Sequence, residues 1–326
     1  MEMLGNFELS GKLGGQNSGY SVWGFGEKNG TEYFIKQFLS PIYPENDTVS
    51  SPERLERKRR ACQRFERQKQ ALYQVVNRHS DGNAVRIQEF FRVESKYYIA
   101  TRKIDALDWD LDMIATLNVD QKRRLCSIIA HSIAGLHDGG VVHADLKHEN
   151  ILFMHSASGL PTVKVIDFDS SFLESDPPAP GEEIVGDLVY FSPEALRSMS
   201  GEEIPLTCKM DVFALGVLFH QYLTGELPYF DHEQYGFPAE ASANGGNVWV
   251  SEDLEPDVAG MLQSMLHPEA ECRPTAWQVF EALRGPVHED RDTLEYISES
   301  SVKDSRMPVP EDSTMRGNPF FRPGDL

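Results

Sequence analysis

The spacing of apolar residues changes once along this chain, near Asp110, and that change limits the folds open to it. Before it, short aromatic or β-branched runs at residues 7–9, 20–23 and 33–38 are separated by glycine and asparagine turn signals. Lys28-Asn29-Gly30-Thr31 holds an Asn-Gly pair, the composition of a tight hairpin turn between the second and third runs. From Pro52 to about Asn77 the pattern becomes helical, with Cys62, Phe65, Leu72 and Val76 on one stripe. Two more strands are expected around residues 85–91 and 97–101. Beyond Asp110 long helices are expected at 121–137, 211–223, 258–266 and 276–283, with short apolar strands within 142–153 and 163–168. A small five-stranded sheet with one helix, joined to a helical remainder, is a two-lobed α+β plan that places its ligand between the lobes.

Composition excludes several alternatives. The chain has 326 residues, 40% hydrophobic and 25% charged, which removes fibrous and wholly disordered classes and predicts about two domains or one large unit. With 31 basic against 51 acidic residues the formal net charge is −20, so neither nucleic acid nor an anionic membrane is an expected partner. Cys62, Cys126, Cys208 and Cys272 are far apart with no C-x-x-C pair, which supports neither a disulfide framework nor a zinc site. The start of the sequence lacks a signal peptide's basic residues and apolar run, and no stretch of about 18 apolar residues occurs. A reducing, soluble compartment, the cytoplasm, is the expectation. Residues 286–326 carry nine acidic and five basic residues with few aliphatics and read as a tail.

The densest polar string is His143-Ala144-Asp145-Leu146-Lys147-His148-Glu149-Asn150, followed seventeen residues after Asn150 by Asp167 in Val165-Ile166-Asp167-Phe168-Asp169. Here the sequence resembles the protein kinase family, whose catalytic loop reads H-R-D-L-K-x-x-N and whose metal loop reads D-F-G. Phosphoryl transfer needs an aligned hydroxyl, neutralised phosphate charge and closely held magnesium more than covalent help. Asp145 would orient the hydroxyl and Lys147 would face the transferring phosphate. Asn150 and Asp167 offer the hard oxygens that magnesium prefers. Upstream, Lys36 stands in the place of the family's strand lysine, bridging the α- and β-phosphates of ATP. Its expected ion-pair partner is Glu66, with Glu53 and Glu56 the other acids of that helix. The glycine-containing stretch Leu13-Gly14-Gly15-Gln16-Asn17-Ser18-Gly19-Tyr20-Ser21-Val22 would cover the phosphates, although its spacing departs from the family's G-x-G-x-x-G-x-V. Thr101, Lys103 and Ile104 would form the hinge beside the nucleotide.

Downstream, Gly186-Asp187-Leu188-Val189-Tyr190-Phe191-Ser192-Pro193-Glu194, Asp211-Val212-Phe213-Ala214-Leu215-Gly216 and Arg273-Pro274-Thr275 resemble further family segments. They imply that Glu194 pairs with Arg273 and that Asp211 anchors the catalytic-loop backbone. The resemblance runs from residue 7 to about 284. It implies a bilobal kinase fold, with the small lobe at 1–103, the helical lobe at 104–284 and a tail at 285–326, and a Ser/Thr protein kinase using ATP and Mg2+.

Four departures matter. Ala144 replaces the arginine that receives a phosphorylated activation loop, and residues 170–184 already carry Glu174, Asp176, Glu182 and Glu183, so activity without loop phosphorylation is expected. Asp169 replaces the loop glycine, which predicts a stiffer switch. Asp187 replaces a threonine, where its carboxylate would pair with Lys147 or crowd Asp145. Phe34 replaces a small alanine over the adenine, and either stacks on the base or fills its space. Two alternatives follow, a pseudokinase scaffold and a kinase of a small-molecule hydroxyl. Residues 51–80 hold nine basic against three acidic residues. The basic stretch beginning at Arg54 and ending at Lys69 is a solvated face or a docking site for an acidic partner. Phe320-Phe321 in the tail would dock in a groove, unless the tail is simply disordered.

Overall fold

In the computed structural model, the chain is described at residues 2–14, 21–45, 50–80, 82–156, 159 and 161–284. Gly15, Gly19 and the tail with Phe320 and Phe321 lie outside the described residues.

The amino-terminal part is a six-stranded antiparallel sheet: β1 (Met3–Leu4), β2 (Phe7–Leu9), β3 (Ser21–Lys28), β4 (Thr31–Phe38), β5 (Ile87–Val93) and β6 (Lys96–Arg102), in spatial order β1-β2-β3-β4-β6-β5. The five expected strands are all present, and the two-residue β1 adds to the edge by pairing with β2. Asn29 and Gly30 both take positive φ, 53° and 76°, as a tight turn closing Lys28 onto Thr31 demands. Period-two alternation then sorts the sheet into two faces. Leu9, Ile35, Tyr98 and Ala100 pack with Leu4 and Phe7 on one face. On the other, Trp23 lies opposite Lys36 and Phe25 opposite Phe34.

The long helix α1 (Pro52–His79) starts with Ser51 accepting from the Arg54 amide and Pro52 in the first turn. It packs on the Lys36 face: Phe65 lies 5.2 Å from Phe38 and 5.3 Å from Tyr97 between ring centroids. Its buried stripe is Cys62, Lys69, Leu72, Tyr73 and Val76. Four of these are apolar or aromatic. The fifth is a lysine.

The helical lobe is built from α2 (Leu111–Thr116), α3 (Val119–Asp138), α4 (Pro193–Met199), α5 (Lys209–Thr224), α6 (Pro238–Ala243), α7 (Pro256–Met265) and α8 (Ala276–Arg284). Between α3 and α4 lie the short strands β7 (Val141–Val142), β8 (Ile151–His155), β9 (Pro161–Val165) and β10 (Phe172–Leu173). α3 opens with a reciprocal capping box between Asn118 and Gln121. α5 is buried nearly all round, as an apolar helix without a polar face must be. The implied Glu194–Arg273 pair is present and bidentate, at 2.7 and 2.8 Å, with Arg273 fully buried. The architecture is the bilobal α+β fold that the sequence pattern implies.

Candidate active site

Two short strands bring the site together. β8 and β9 pair antiparallel, Ile151 opposite Val165, so Asn150 just before β8 meets the segment just after β9. The Ile166 amide donates to the Asn150 carbonyl at 3.0 Å. Asp167 follows with φ 65°, and Ala144 in the preceding loop has the same value. Both are strained, left-handed conformations for residues with a side chain, and such strain gathers at functional sites. The loop is held from below by Asp211. Its carboxylate accepts from the amides of His143 at 2.8 Å and Ala144 at 2.9 Å, and also meets His137 at 2.9 Å. Asp211 is therefore the anchor that the resemblance implied.

Asp145 is fixed from three directions. Lys147 Nζ donates to it at 3.0 Å, Asn150 Nδ2 at 2.9 Å and the Asp187 amide at 3.2 Å. Its carboxylate can therefore hardly turn. Among the described residues Lys147 pairs with Asp145 rather than Asp187, whose carboxylate caps the turn that follows by accepting from Val189 N at 3.0 Å. Asn150 spends its amide nitrogen on Asp145, at both the main-chain and side-chain oxygens. That leaves its amide oxygen, together with the Asp167 carboxylate, as the hard donor set a magnesium ion takes. The residues present fit that ion.

Lys36 reaches across the cleft to Asp167 Oδ2 at 2.7 Å and Asp169 Oδ2 at 2.8 Å. Burial works against its charge, but the Asp169 and Asp167 carboxylates outweigh burial and hold the ammonium pKa above the ordinary lysine range. For Asp167, burial pushes upward, yet Lys36 prevails and its carboxyl lies below the usual range. Asp169 goes the other way. Burial and the neighbouring Asp167 raise it, against the pull of Lys36 and Lys69.

Several expected roles are corrected by register and partners. Glu66 is not the partner of Lys36: its carboxylate accepts from the Tyr97 hydroxyl at 2.6 Å, while the lysine takes two aspartates instead. Val22 pairs with Gln37, so it falls on the face away from Lys36, and Trp23 takes the cleft position. Leu13 also belongs to the far face. It packs with the Leu9 and Ile35 cluster and lies so close over Gly24 that a Cβ there would sit 2.8 Å from its Cδ2. Gly14 pairs with Trp23 through two 2.9 Å main-chain bonds. Phe34 does face the cleft with Lys36, in a cluster with Trp23 at 5.4 Å and Phe25 at 5.9 Å. Thr101 is buried opposite Phe34. Lys103 is exposed and pairs with Glu32 at 3.1 Å, and Ile104 is half-buried beside it.

Lys69 was missed in the sequence. It is buried under the site, and its ammonium donates to the main-chain oxygens of Phe168 at 3.4 Å, Asp169 at 2.5 Å and Ser171 at 3.5 Å. Burial lowers its pKa to about 8, against the Asp169 and Asp167 carboxylates. The signal was available: Lys69 stands seven residues from both Cys62 and Val76, in the middle of the helix's apolar stripe.

This geometry agrees with comparisons to known proteins. The family model for the protein kinase domain matches residues 54–283, and the chain belongs to that family. The match begins after Lys36 and the glycine-containing stretch. Among relatives, the serine/threonine-protein kinase PSK2 of Saccharomyces cerevisiae is 27% identical over 217 residues, covering 64% of this chain and 18% of the relative. A calcium/calmodulin-dependent protein kinase type II of Caenorhabditis elegans is 28% identical over 239 residues, 72% of this chain and 30% of the relative. Calcium-dependent protein kinase 16 of Oryza sativa subsp. japonica is 35% identical over 152 residues, 44% of this chain and 25% of the relative. The chain thus spans well under half of the length of each of these relatives. No helix among the described residues is long and apolar enough to cross a membrane.

Proposed function

We propose that this chain is an ATP- and magnesium-dependent protein kinase that phosphorylates serine or threonine hydroxyls without prior phosphorylation of its own activation segment. The observation that carries the first half is the Asp145 carboxylate, immobilised by Lys147, Asn150 and the Asp187 amide on the same loop that presents Asn150 and Asp167. Asp145 orients the acceptor hydroxyl and takes up its proton. Lys147, already 3.0 Å from Asp145, stabilises charge on the moving phosphoryl group. Lys36 holds the non-transferred phosphates. Magnesium, held by Asn150 and Asp167, supplies neutralisation of phosphate charge. Replacing Asp145 by Asn should lower labelled-phosphate transfer to generic acceptors by about 10²- to 10⁴-fold and leave Mg-ATP binding intact. Undiminished transfer in that variant refutes the role.

The second half rests on how residues 170–184 are tied. β10 pairs with β7, and the Ser171 hydroxyl donates to the His143 carbonyl at 2.9 Å. Glu174 accepts from the Cys208 amide at the start of α5 at 2.6 Å. Arg64 of α1 meets Glu182 at 3.4 Å and Gln68 meets Asp176 at 3.0 Å. Carboxylates of the segment itself thus meet α1 and the start of α5, the kind of contact a phosphate makes elsewhere. The basic face of α1 serves this internal contact and, through Arg54, Arg57 and Arg59, offers docking to an acidic partner. Replacing Ser170 and Ser175 together by Ala, which leaves the Ser171 tie intact, should leave transfer within about threefold of the parent, a change under 1 kcal/mol; its abolition overturns this half. The four cysteines are free, in keeping with a reducing compartment such as the cytoplasm.

One observation favours a second reading, a scaffold that does not transfer phosphate. The rings of Trp23, Phe25 and Phe34 crowd the face where an adenine would sit. A thermal shift with Mg-ATP separates the two readings when paired with the transfer assay. Binding without transfer, or neither, supports the scaffold.

A further inference from the structure

Lys36 and Lys69 meet the segment carrying Asp167 and Asp169 from two sides, Lys36 at the two carboxylates and Lys69 at main-chain oxygens, two positive charges against two negative ones. Lys36 comes from β4, Lys69 from α1, and both aspartates from the segment after β9. A lysine ammonium has donors only, so from α1 it can grip carbonyl oxygens, and the three it grips are those of Phe168, Asp169 and Ser171. A carboxylate on α1 at that place would meet the same oxygens with repulsion. Asp169 in turn gives Oδ2 to Lys36 at 2.8 Å, while its buried Oδ1 has no hydrogen-bond partner and depends on neighbouring cations for compensation. Glu66, the α1 acid expected to serve Lys36, is committed to Tyr97.

We propose that Lys69 and Asp169 form a reversed-charge latch that positions Lys36 for phosphate binding. The acid comes from the loop and the base from the helix, and because Lys36 is held by both aspartates, Asp169 keeps a partner on it when Asp167 turns to a cation. The inference rests on the ATP-dependent reading above, and it makes both members positioning residues. Either charge alone is a defect: Lys69 without Asp169 is a buried cation with one compensating carboxylate fewer, and Asp169 without Lys69 adds to the charge of Asp167. The two positions must therefore be coupled.

A double-mutant cycle of Lys69→Glu, Asp169→Gly and both together tests this, read by melting temperature and by kcat and KM for ATP. Each single variant should melt lower than the parent and raise KM for ATP by about tenfold or more, equivalent to about 1.4 kcal/mol. The double variant, which takes away the loop carboxylate that an acid at position 69 would repel, should lose less than the two single losses added together, although the three carbonyl contacts stay broken. Effects that simply add in the double variant overturn the latch, as does a Lys69→Glu protein with unchanged KM. If Lys69→Glu does not fold, Lys69→Met removes the charge without adding a repulsive one, and its titration with Mg-ATP should show weakened affinity. Parent-like affinity in that variant is a refutation. If the parent neither binds nor turns over ATP, the proposed function fails, yet the melting-temperature cycle still decides the coupling.

Discussion

Glu194→Ala tests the deepest electrostatic element of the fold. The Arg273 guanidinium is fully buried and places every donor: Nε on the His267 carbonyl at 2.7 Å, Nη1 on Glu194 at 2.7 Å and Lys209 O at 2.9 Å, and Nη2 on Glu194 at 2.8 Å and Pro268 O at 3.1 Å. Removing Glu194 leaves two of those donors and a whole charge uncompensated, because water has no access. Breaking a buried pair from one side costs about 3–5 kcal/mol. At about 2–4 °C of melting temperature per kcal/mol for a domain of this size, the expected fall is about 6–20 °C. Glu194→Gln keeps the shape and one acceptor and should lose about half as much, as a hydrogen bond to a charged group is worth about 1.5–3 kcal/mol. Thermal and urea unfolding of the three proteins provide the measurement. An Ala variant melting within about 2 °C of the parent would show that the charge is screened, and the reasoning would fall with it.

Two further outcomes concern the folded core. His220 is fully buried, accepts from the Ser251 amide through Nε2 at 3.0 Å and faces the Glu226 carbonyl through Nδ1 at 2.7 Å, an arrangement that suits the neutral ring. Burial holds its pKa below the ordinary value. Below about pH 6.5 the unfolded chain takes a proton that the folded one refuses, so this stability is whole above that pH and lost as pH falls. His220→Asn should be less stable than the parent at pH 7, with the gap narrowing towards pH 5 in urea titrations; a constant gap refutes the assignment. Gly186→Ala would place a Cβ 2.4 Å from the Phe191 ring and 3.2 Å from the Ala144 carbonyl. Overpacking of that kind costs about 1–3 kcal/mol, and calorimetry should show it together with slower transfer, since the neighbouring Asp187 amide steadies Asp145.

The parts of the site that were legible are those where chemistry and chain order coincide. Asp145, Lys147, Asn150 and Asp167 could be placed because one short antiparallel pair, β8 with β9, joins two local strings. Lys36 could be placed because it stands, within the run at 33–38, where the resembled family has its strand lysine. Val22 and Leu13 could not, because which face a strand residue takes depends on register, and a slip of one residue reverses it. The Lys36 partner was misread for a related reason: opposite charges identify a pair only when the intervening geometry is known, and Asp169 looked like a change in loop stiffness. Lys69 was lost among the nine basic residues of its segment, although its place on the apolar stripe set it apart. The long helices were legible from their period, whereas α2, α4 and α6, of six or seven residues, are too short to display one.

Trp23 lies opposite Lys36 on the inner face of the sheet, with the Phe34 ring 5.4 Å away. The chain has only four tryptophans, and the other three, Trp109, Trp249 and Trp277, belong to the helical half. An indole so placed is a dye built into the protein. Whatever settles beside it alters its emission, so occupancy can be followed by fluorescence in unlabelled material, and a Trp23→Phe variant identifies which part of the signal comes from the cleft.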